Sequence, residues 1–259
     1  TETGSAAEPG QAARAQDRQQ RRRVRHRRYR VAAEGPVYEI QEIRANLRLE
    51  QGYKIIGYKM GLTSKAKQAM LGRNEPTYGI LFDYMPLGPA APLTLAKQIH
   101  PKVETEIAFV LKSDLGGPDI NIEKVLQATG QVIAALEIID SRFHDFKFAS
   151  QDGIADNISA SRIKLGTNRI SPLNRDLSAI GVSIKINDQE VATGKSSAVL
   201  DHPANAVAML AGMLHRQGKT LKAGQIIMTG AITAAFKVNA GDKVVAAFDL
   251  WETLTLDVI

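Results

Sequence analysis

The clearest pattern along the chain is an alternation with a period of two between residues 102 and 111, which read Lys-Val-Glu-Thr-Glu-Ile-Ala-Phe-Val-Leu. Successive side chains of an extended chain point to opposite faces, so this alternation predicts a β-strand. Glu104 and Glu106 then project from one face, followed by Ala108 and Val110. Two neighbouring carboxylates on a strand that turns apolar repel one another and resist burial, so they need a compensating partner.

The other periodic segments predict a chain of mixed composition in which strands dominate the second half. The helical period predicts helices at 37–51, 64–71 and 122–129, and a fourth that opens at Pro203 and is closed by Gly218. Apolar or alternating runs predict strands at 54–62, 132–139, 181–187, 190–193, 225–229, 243–248 and 253–259. Residues 75–79 are predicted to form a turn or loop, and residues 141–157 a long polar connection. Because the order is not a regular alternation of strand and helix, the sequence predicts an α+β fold with a large curled sheet.

The composition is that of a globular protein with a core. The chain has 259 residues, of which 44% are hydrophobic, and it contains no cysteine. Disulfides and thiolate metal sites are therefore excluded, and a cytoplasmic location is predicted. Each apolar run is shorter than the roughly 18 residues of a membrane span, so no membrane segment is predicted.

The basic charge is concentrated at one end of the chain. Residues 1–36 hold nine Arg and four acidic residues, whereas residues 37–259 carry 24 basic and 23 acidic side chains. We therefore predict a basic, low-complexity tail over 1–36, disordered or atypical, and a single catalytic domain over 37–259. The alternative is a basic-tailed binding protein, in which the tail contacts nucleic acid or an anionic surface and the site in the body is vestigial.

A third carboxylate, Glu137, interrupts the otherwise apolar run 132–139. An unpaired carboxylate buried there would cost several kcal/mol or be neutralised by protonation. Glu104, Glu106 and Glu137 together offer three oxygen ligands, which suit a hard divalent cation such as Mg²⁺ or Mn²⁺. The alternative is that all three are surface acids or members of salt bridges.

Lys59 is the second charged residue in an apolar setting, in a predicted strand between Gly57 and Gly61. Lysine is rarely fully buried without a partner. In a cavity lined by small residues, its ammonium could stabilise a developing enolate or move a proton. The alternative is a lysine on an edge strand whose charged end reaches water.

Three further signals are weaker, and no established motif competes with the metal hypothesis. The segment Asp156-Asn157-Ile158-Ser159 ends the long connection, and Asp and Asn in loops usually make turns by bonding to their own backbone. Arg142 could hold a substrate carboxylate or pair with Asp140 or Asp145. Thr229 could donate to a ligand or simply end a strand. The chain contains no GxGxxG or Walker A segment and no nucleophile elbow, and its histidines lack metal-pair spacing.

Four segments of the chain, taken together and in this order, match the motifs of a known family. They are Gly57-Tyr58-Lys59-Met60-Gly61-Leu62-Thr63-Ser64, His100-Pro101-Lys102-Val103-Glu104-Thr105-Glu106, Ala135-Leu136-Glu137-Ile138-Ile139-Asp140-Ser141-Arg142 and Ala155-Asp156-Asn157. They resemble the hydratase/decarboxylase branch of the fumarylacetoacetate hydrolase superfamily over about residues 37–259. The resemblance implies a mixed β-sandwich roll with few peripheral helices. It also implies Mg²⁺ or Mn²⁺ on the three glutamates, a catalytic role for Lys59, and Asp156 and Ser159 near the substrate. We therefore take Lys59 and Asp156 as candidate catalytic residues, and Ser159, Arg142 and Thr229 as candidates for substrate binding.

The resemblance leaves two reactions of aromatic meta-cleavage catabolism open. One is the metal-dependent decarboxylation of 4-oxalocrotonate to 2-hydroxypenta-2,4-dienoate, and the other is the hydration of that dienol. Hydratases of this branch typically carry Pro-Asp-Phe/Tyr-Gly, where this chain has Pro76-Thr77-Tyr78-Gly79. Adding water to a diene needs proton transfers at two carbons, so the replacement of an acid by Thr77 favours decarboxylation. Residues 143–148 and 230–235 are also similar to the decarboxylases.

The same resemblance implies the partners of the protein. It implies a small-molecule 2-oxo acid substrate and a homo-oligomer. For a decarboxylase it also implies a complex with the hydratase of the same pathway, and it gives no reason to expect a membrane or nucleic-acid partner.

Overall fold

The computed structural model describes residues 35–64, 68 and 75–259. The predicted basic tail therefore lies outside the described residues except for its last two positions, and so does most of the predicted helix at 64–71. Within the described part of the chain, no helix combines the length and apolar character needed to cross a membrane.

The described residues form two sheets and a small number of helices. The α-helices are Gly35–Glu50 (α1), Ile122–Ala128 (α2), Ser150–Ala155 (α3) and Pro203–His215 (α4). The strands are Ile55–Gly61 (β1), Thr77–Phe82 (β2), Lys102–Leu111 (β3), Thr129–Ile139 (β4), Ala160–Ile170 (β5), Gly181–Ile186 (β6), Gln189–Lys195 (β7), Ile226–Met228 (β8), Phe236–Lys237 (β9), Lys243–Phe248 (β10) and Trp251–Asp257 (β11). The predicted α+β class is confirmed.

The larger sheet has seven strands, in the order β2-β1-β8-β3-β4-β5, with β9 paired to β3. β1 and β8 run parallel, whereas β3 and β4 pair antiparallel over their whole lengths. The second sheet has the order β11-β10-β6-β7, and its strand β11 packs against β4 and β5. Both strands of the β3–β4 pair are almost completely buried, because elements cover both faces of the sheet at this point.

Helix α1 covers the β1–β2 end of the larger sheet. Val37, Tyr38 and Ala45 are buried, and Ala45 packs in a core cluster with Leu81 and other residues of the sheet. The buried side-chain amide of Gln41 donates to the carbonyls of Tyr78 at 2.9 Å and Ile154 at 3.1 Å. This glutamine therefore ties α1 to β2 and to α3, two elements that border the main cavity.

Three local predictions differ from the structure. Thr77, Tyr78 and Gly79 belong to β2 and not to a turn, because strand β1 pairs with them in antiparallel register. Strand β5 was not predicted, since its residues 167–169 are polar and exposed and hide the apolar alternation. The connection 141–157 contains the six-residue helix α3, which is too short to show a helical period.

Candidate active site

Three glutamates converge on one face of the β3–β4 pair. In the antiparallel register Glu104 lies directly opposite Glu137, and Glu106 lies two residues further along β3 on the same face. One carboxylate oxygen from each residue lies within 4.8 Å of the other two. The exposed fractions are 8% for Glu104 and 0% for Glu106 and Glu137. The alternative of surface acids is therefore wrong, whereas the alternative of a salt bridge holds for Glu137, which pairs with Lys59.

The glutamates are poorly satisfied by the protein itself. Glu106 Oε2 accepts a hydrogen bond from the backbone N–H of Gly230 at 2.8 Å, but Glu106 Oε1 and Glu137 Oε1 are buried and receive none from a described residue. Burial raises the pKa of Glu106 well above its ordinary 4.5, and the charge of Glu137 adds to the effect. Burial likewise raises the pKa of Glu137. Buried carboxylate oxygens without donors fit the ligand set of a hard divalent cation.

Gly230 can serve Glu106 because it is a glycine. Its φ of +109° is a backbone conformation that side chains disfavour, and a Cβ placed there would lie 2.1 Å from Thr63 Oγ1. Because Gly230 has no side chain, the backbone that follows β8 can approach the acidic cluster closely enough for its N–H to donate to Glu106.

Lys59 reaches the acidic cluster from β1. Lys59 pairs with Met228 of β8, and Met228 pairs with Ala108 of β3, so these residues form one row across the sheet. Lys59 Nζ lies 2.9 Å from Glu137 Oε2 and donates to the carbonyl of Ile158 at 3.2 Å. The side chain is 3% exposed and β1 lies inside the sheet, so the alternative of an edge-strand lysine is wrong.

The electrostatic balance keeps Lys59 protonated. Burial lowers its pKa, but the carboxylates of Glu137, Glu104 and Glu106 outweigh this effect, and the net pKa is raised above 10.5. The lysine is therefore an ammonium at neutral pH, held against a buried carboxylate. An ammonium in this position can stabilise negative charge that develops on a ligand oxygen.

A strained segment completes the contacts of Lys59. Asn157, Ile158 and Ser159 have consecutive positive φ values of 59°, 49° and 55°, and such a conformation is especially costly for β-branched Ile158. The side-chain amide of Asn157 holds the segment in place by accepting from the N–H of Ile80 at 2.7 Å and donating to its carbonyl at 2.8 Å. Because β2 ends the sheet, this amide occupies backbone groups that would otherwise have no strand partner.

Gly79 makes room for both the lysine and the strained segment. It lies opposite Lys59 in the β1–β2 register. A Cβ at this position would lie 2.6 Å from the carbonyl oxygen of Asn157 and 3.1 Å from Cδ of Lys59. Sequence inspection treated Asn157 and Gly79 only as parts of local motifs. The sequence signal that could have identified them is a glycine and an asparagine that lie close to a buried charge. That signal is weak as long as the pairing of the strands is unknown.

Lys59 and Glu104 border a cavity of about 290 Å³. Thr77 Oγ1 and Ser159 Oγ are buried at this cavity and have no hydrogen-bond partner among the described residues. The described lining residues are Lys59, Met60, Gly61, Leu62, Thr63, Ser64, Thr77, Glu104, Ile139, Phe146, Phe148, Ser150, Gly153, Ile158, Ser159 and Ala231. The described lining therefore combines one carboxylate, from Glu104, and one cation, from Lys59, with the unpartnered hydroxyls of Thr77 and Ser159 and several apolar side chains.

An aromatic wall comes from the connection between β4 and α3. Phe146 and Phe148 line the cavity. The Phe146 ring stacks on His100 with 4.9 Å between centroids, and Lys102 Nζ lies 4.4 Å from the centroid of the same ring. These contacts anchor Phe146 to the segment that leads into β3.

The structure places the remaining predicted site residues away from the cavity lining. Asp156 accepts from the backbone N–H of Arg142 at 3.2 Å, forms an ion pair with its guanidinium, and lies 3.6 Å from Arg44 Nη1. Thr229 Oγ1 donates to the carbonyl of Ile107 at 2.8 Å, so its hydroxyl supports strand pairing. The structure thus brings together Lys59, Glu104, Glu106, Glu137 and Ser159. Asp156, Arg142 and Thr229 surround this group as supports, and their catalytic or binding roles stay predictions.

Comparisons with known proteins identify relatives of this chain in sequence and in fold. The fumarylacetoacetate (FAA) hydrolase C-terminal family model matches residues 59–258. The chain is 43% identical over 212 residues to a 4-oxalocrotonate decarboxylase of Pseudomonas sp. (strain CF600), covering 82% of this chain and 80% of that protein. It is 42% identical over 205 residues to a 2-keto-4-pentenoate hydratase of Paraburkholderia xenovorans (strain LB400), covering 79% and 76%. A solved structure, the 4-oxalocrotonate decarboxylase of Pseudomonas putida G7 complexed with magnesium and adipate, matches with a TM-score of 0.86 and 38% identity, covering 88% of this chain and 87% of that chain.

Proposed function

The chain belongs to the fumarylacetoacetate hydrolase family, and we propose that it is a metal-dependent lyase that decarboxylates 4-oxalocrotonate to 2-hydroxypenta-2,4-dienoate. The observation that carries the choice of reaction is Thr77. This residue is 1% exposed, and its uncharged hydroxyl lines the cavity at the position where the related hydratases typically carry an acid. The relative that binds magnesium and adipate supports a site for a metal and a dicarboxylate.

Glu104, Glu106 and Glu137 would hold the metal. Their buried oxygens without donors supply the ligands that Mg²⁺ or Mn²⁺ prefers, and the cation would remove the mutual repulsion of the acids. When bound, such an ion supplies Lewis acidity toward the carboxylate and keto oxygens of a 2-oxo acid.

The decarboxylation needs little from the protein beyond stabilisation of the negative charge that develops on the substrate. In 4-oxalocrotonate the distal carboxylate is vinylogous to that of a β-keto acid. The bond between C5 and the distal carboxyl carbon breaks, and CO₂ leaves. The bonding electron pair moves through the conjugated carbons to the keto oxygen. Uptake of one proton at that oxygen gives 2-hydroxypenta-2,4-dienoate. The Lys59 ammonium provides positive charge for the developing oxyanion and is a donor for this proton.

The apolar part of the cavity favours loss of CO₂. Phe146, Phe148, Ile139 and Met60 contribute to its lining. Apolar surroundings disfavour a carboxylate relative to neutral CO₂, so a distal carboxylate placed against these side chains is destabilised before the bond breaks.

Hydration of the dienol is the second candidate, because a hydratase is nearly as similar to this chain as the decarboxylase. Hydration needs protons delivered and removed at two carbons. Among the described lining residues Glu104 is the single carboxylate, and we assign it to the metal. Thr77 and Ser159 contribute hydroxyls, which are weak acids and bases, so the lining suits decarboxylation better.

The direct test is to incubate the purified protein with 4-oxalocrotonate and Mg²⁺ while measuring CO₂ and the ultraviolet absorbance of the dienol. We expect stoichiometric CO₂ release that stops on chelation of the metal. A Glu106→Gln variant should lose this activity, while Glu190→Gln, an exposed acid on β7, should keep it. No CO₂ release from 4-oxalocrotonate, together with water addition when 2-hydroxypenta-2,4-dienoate is supplied as a separate substrate, would show that the hydratase assignment is the correct one.

The role of Thr77 has its own test. Thr77→Asp places a carboxylate in the cavity wall, and we expect it to lower CO₂ release and to introduce measurable hydration of the dienol. Thr77→Val keeps the shape and removes the hydroxyl, so it should retain most of the decarboxylation. An equal loss in both variants would mean that the hydroxyl itself is required, which contradicts the proposed reason for the specificity.

The basic tail tests the third candidate, a binding protein with a vestigial site. We propose that the catalytic domain starts near residue 37, so deletion of residues 1–36 should leave kcat/KM unchanged. Nucleic-acid binding as the main activity, without any effect of metal, would favour the binding protein.

A further inference from the structure

The structure contains a second cavity, of about 140 Å³, which the strained segment 157–159 connects to the active-site cavity. Asn157 lines this second cavity, whereas Ile158 and Ser159 line the active-site cavity. Three arginines face the second cavity, and we call it the arginine cavity. Its described lining residues are Gln41, Arg44, Ala45, Arg48, Ile80, Phe82, Tyr84, Met85, Arg142, Asn157 and Ala160.

The arginine cavity has an excess of positive charge. Among the described residues, its lining includes three arginines and no acidic side chain. Asp156 is the carboxylate that contacts two of them, at 3.6 Å from Arg44 Nη1 and in the ion pair with Arg142. Arg48 Nη1 donates to the side-chain carbonyl of Gln51 at 2.9 Å, and no carboxylate of a described residue pairs with it. Three positive charges are thus offset by one negative charge.

The excess has an electrostatic cost, which an anion would relieve. Burial lowers the pKa of Arg44, and the neighbouring charge of Arg142 lowers it further. Like charges held together in a partly buried site repel more strongly than they would in water. An anion bound among the three arginines would remove this repulsion, so the excess of charge points to a ligand.

The side chain of Arg48 is also pre-arranged. The Arg48 guanidinium lies 5.7 Å from the centroid of the Tyr84 ring, and the guanidinium of Arg162 lies 5.7 Å from the same centroid. Tyr84 in turn stacks on Phe82 with 5.7 Å between ring centroids. A cation–π contact of this kind restricts the Arg48 side chain and so lowers the entropy that its fork of donors loses on binding.

We propose that the arginine cavity is a binding site for a small oxyanion carrying two negative charges, of the sulfate and phosphate class. A dianion would balance the excess of two positive charges, and guanidinium forks match the oxygen geometry of such ions. The apolar side chains of Phe82, Met85 and Ile80 exclude water from one side of the cavity and strengthen the attraction. This proposal does not depend on which reaction the first cavity catalyses.

The test is isothermal titration of the Mg²⁺-loaded protein with sodium sulfate, with ionic strength held constant by sodium chloride. We expect one saturable site per chain and the same stoichiometry with inorganic phosphate. Arg48→Gln should weaken binding about tenfold or more, because it removes a charge-assisted contact. Arg48 is the preferred position because it is exposed and its hydrogen bond is to another exposed side chain, so its replacement leaves the fold intact. Arg48→Lys restores charge without the fork and should regain part of the affinity.

A matched control is Arg169→Gln on β5, since Arg169 is also exposed and its Nη1 donates to a glutamine, Gln131, at 3.2 Å. This variant should bind sulfate like the parent. If sulfate binding weakens equally in Arg48→Gln and Arg169→Gln, or if it does not saturate, the protein binds an adventitious ion only, and the proposal is overturned. Loss of sulfate binding in Glu106→Gln would also overturn it, because the anion would then be bound at the metal site.

Discussion

Replacement of Lys59 by Met tests the central electrostatic feature of the active site. Met has a similar length and no charge, so the variant removes the ammonium that lies 2.9 Å from Glu137. At an effective dielectric constant of about 20, two unit charges at this distance interact by about 6 kcal/mol. The desolvation of both groups offsets part of this attraction, and breaking one side of a buried pair typically costs about 3–5 kcal/mol. For a chain of this size the expected fall in Tm is roughly 6–20 °C in the metal-free protein.

The effect on catalysis should differ from the effect on stability. Loss of a charge that stabilises a developing oxyanion lowers kcat by about 10²–10³-fold. Mg²⁺ neutralises the carboxylates whether or not Lys59 is present, so saturating Mg²⁺ should narrow the gap in Tm between variant and parent. It should not restore kcat. Thermal unfolding with and without Mg²⁺, together with steady-state CO₂ release, measures both effects.

Lys164→Met is the matched control. Lys164 is 4% exposed, but its ammonium donates to the carbonyl of Pro89 at 2.8 Å and forms no ion pair within the described residues. We expect this variant to lose about 1–3 kcal/mol of stability, to respond to Mg²⁺ like the parent, and to keep its kcat. Near-parent turnover in Lys59→Met, or a stability loss in both variants that ignores Mg²⁺, would refute the electrostatic role assigned to Lys59.

Two further predictions concern pH and packing. Burial raises the pKa of Glu106 and of Glu137 above the ordinary 4.5 in the folded, metal-free protein. At a pH between the unfolded and the folded pKa, the folded protein therefore binds more protons than the unfolded chain. The free energy of unfolding then falls as the pH rises through this window. Because Mg²⁺ binds deprotonated carboxylates, its gain in Tm should be larger at about pH 8 than at about pH 6, and a gain independent of pH would exclude these ligands. Gly79→Ala forces a Cβ to within 2.6 Å of the Asn157 carbonyl oxygen, so it should lower Tm and kcat together. Gly212→Ala, inside α4 with nothing within 4 Å, should raise stability by up to about 1 kcal/mol, and a similar response of both variants would contradict the proposed contact.

Much of the acidic cluster could be predicted from the sequence, because the positions of its residues on their strands depend on local periodicity. The period of two puts Glu104 and Glu106 on one face of any extended strand, and the apolar neighbours of Glu137 mark a buried acid wherever the strand lies. The same physics identified Lys59 as an unusual charge in an apolar strand. These residues carry their own signal, since a charge in an apolar run is costly in every fold that buries the run.

The pairing register and the loop geometry could not be read in this way. That Glu137 lies opposite Glu104, and that β8 carries Gly230 to Glu106, follows from strands far apart in sequence choosing their partners. Thr77 was predicted in a turn, but it lies in β2 because β1 supplies a partner for its backbone. Pairing energy between distant strands overrides the local preference of a segment that contains Pro and Gly.

The sequence by itself determined the class of fold, the cluster of buried acids and the unusual lysine, because these depend on which side chains can be buried and at what free-energy cost. Only the tertiary structure decided which cavity each candidate faces. It placed Ser159 in the wall of the active-site cavity and turned Arg142 toward Asp156 and the arginine cavity. The reason is that the direction of a side chain in a connection is set by the strained backbone of residues 157–159 and its bonds to β2, and these arise from contacts between segments distant in the chain.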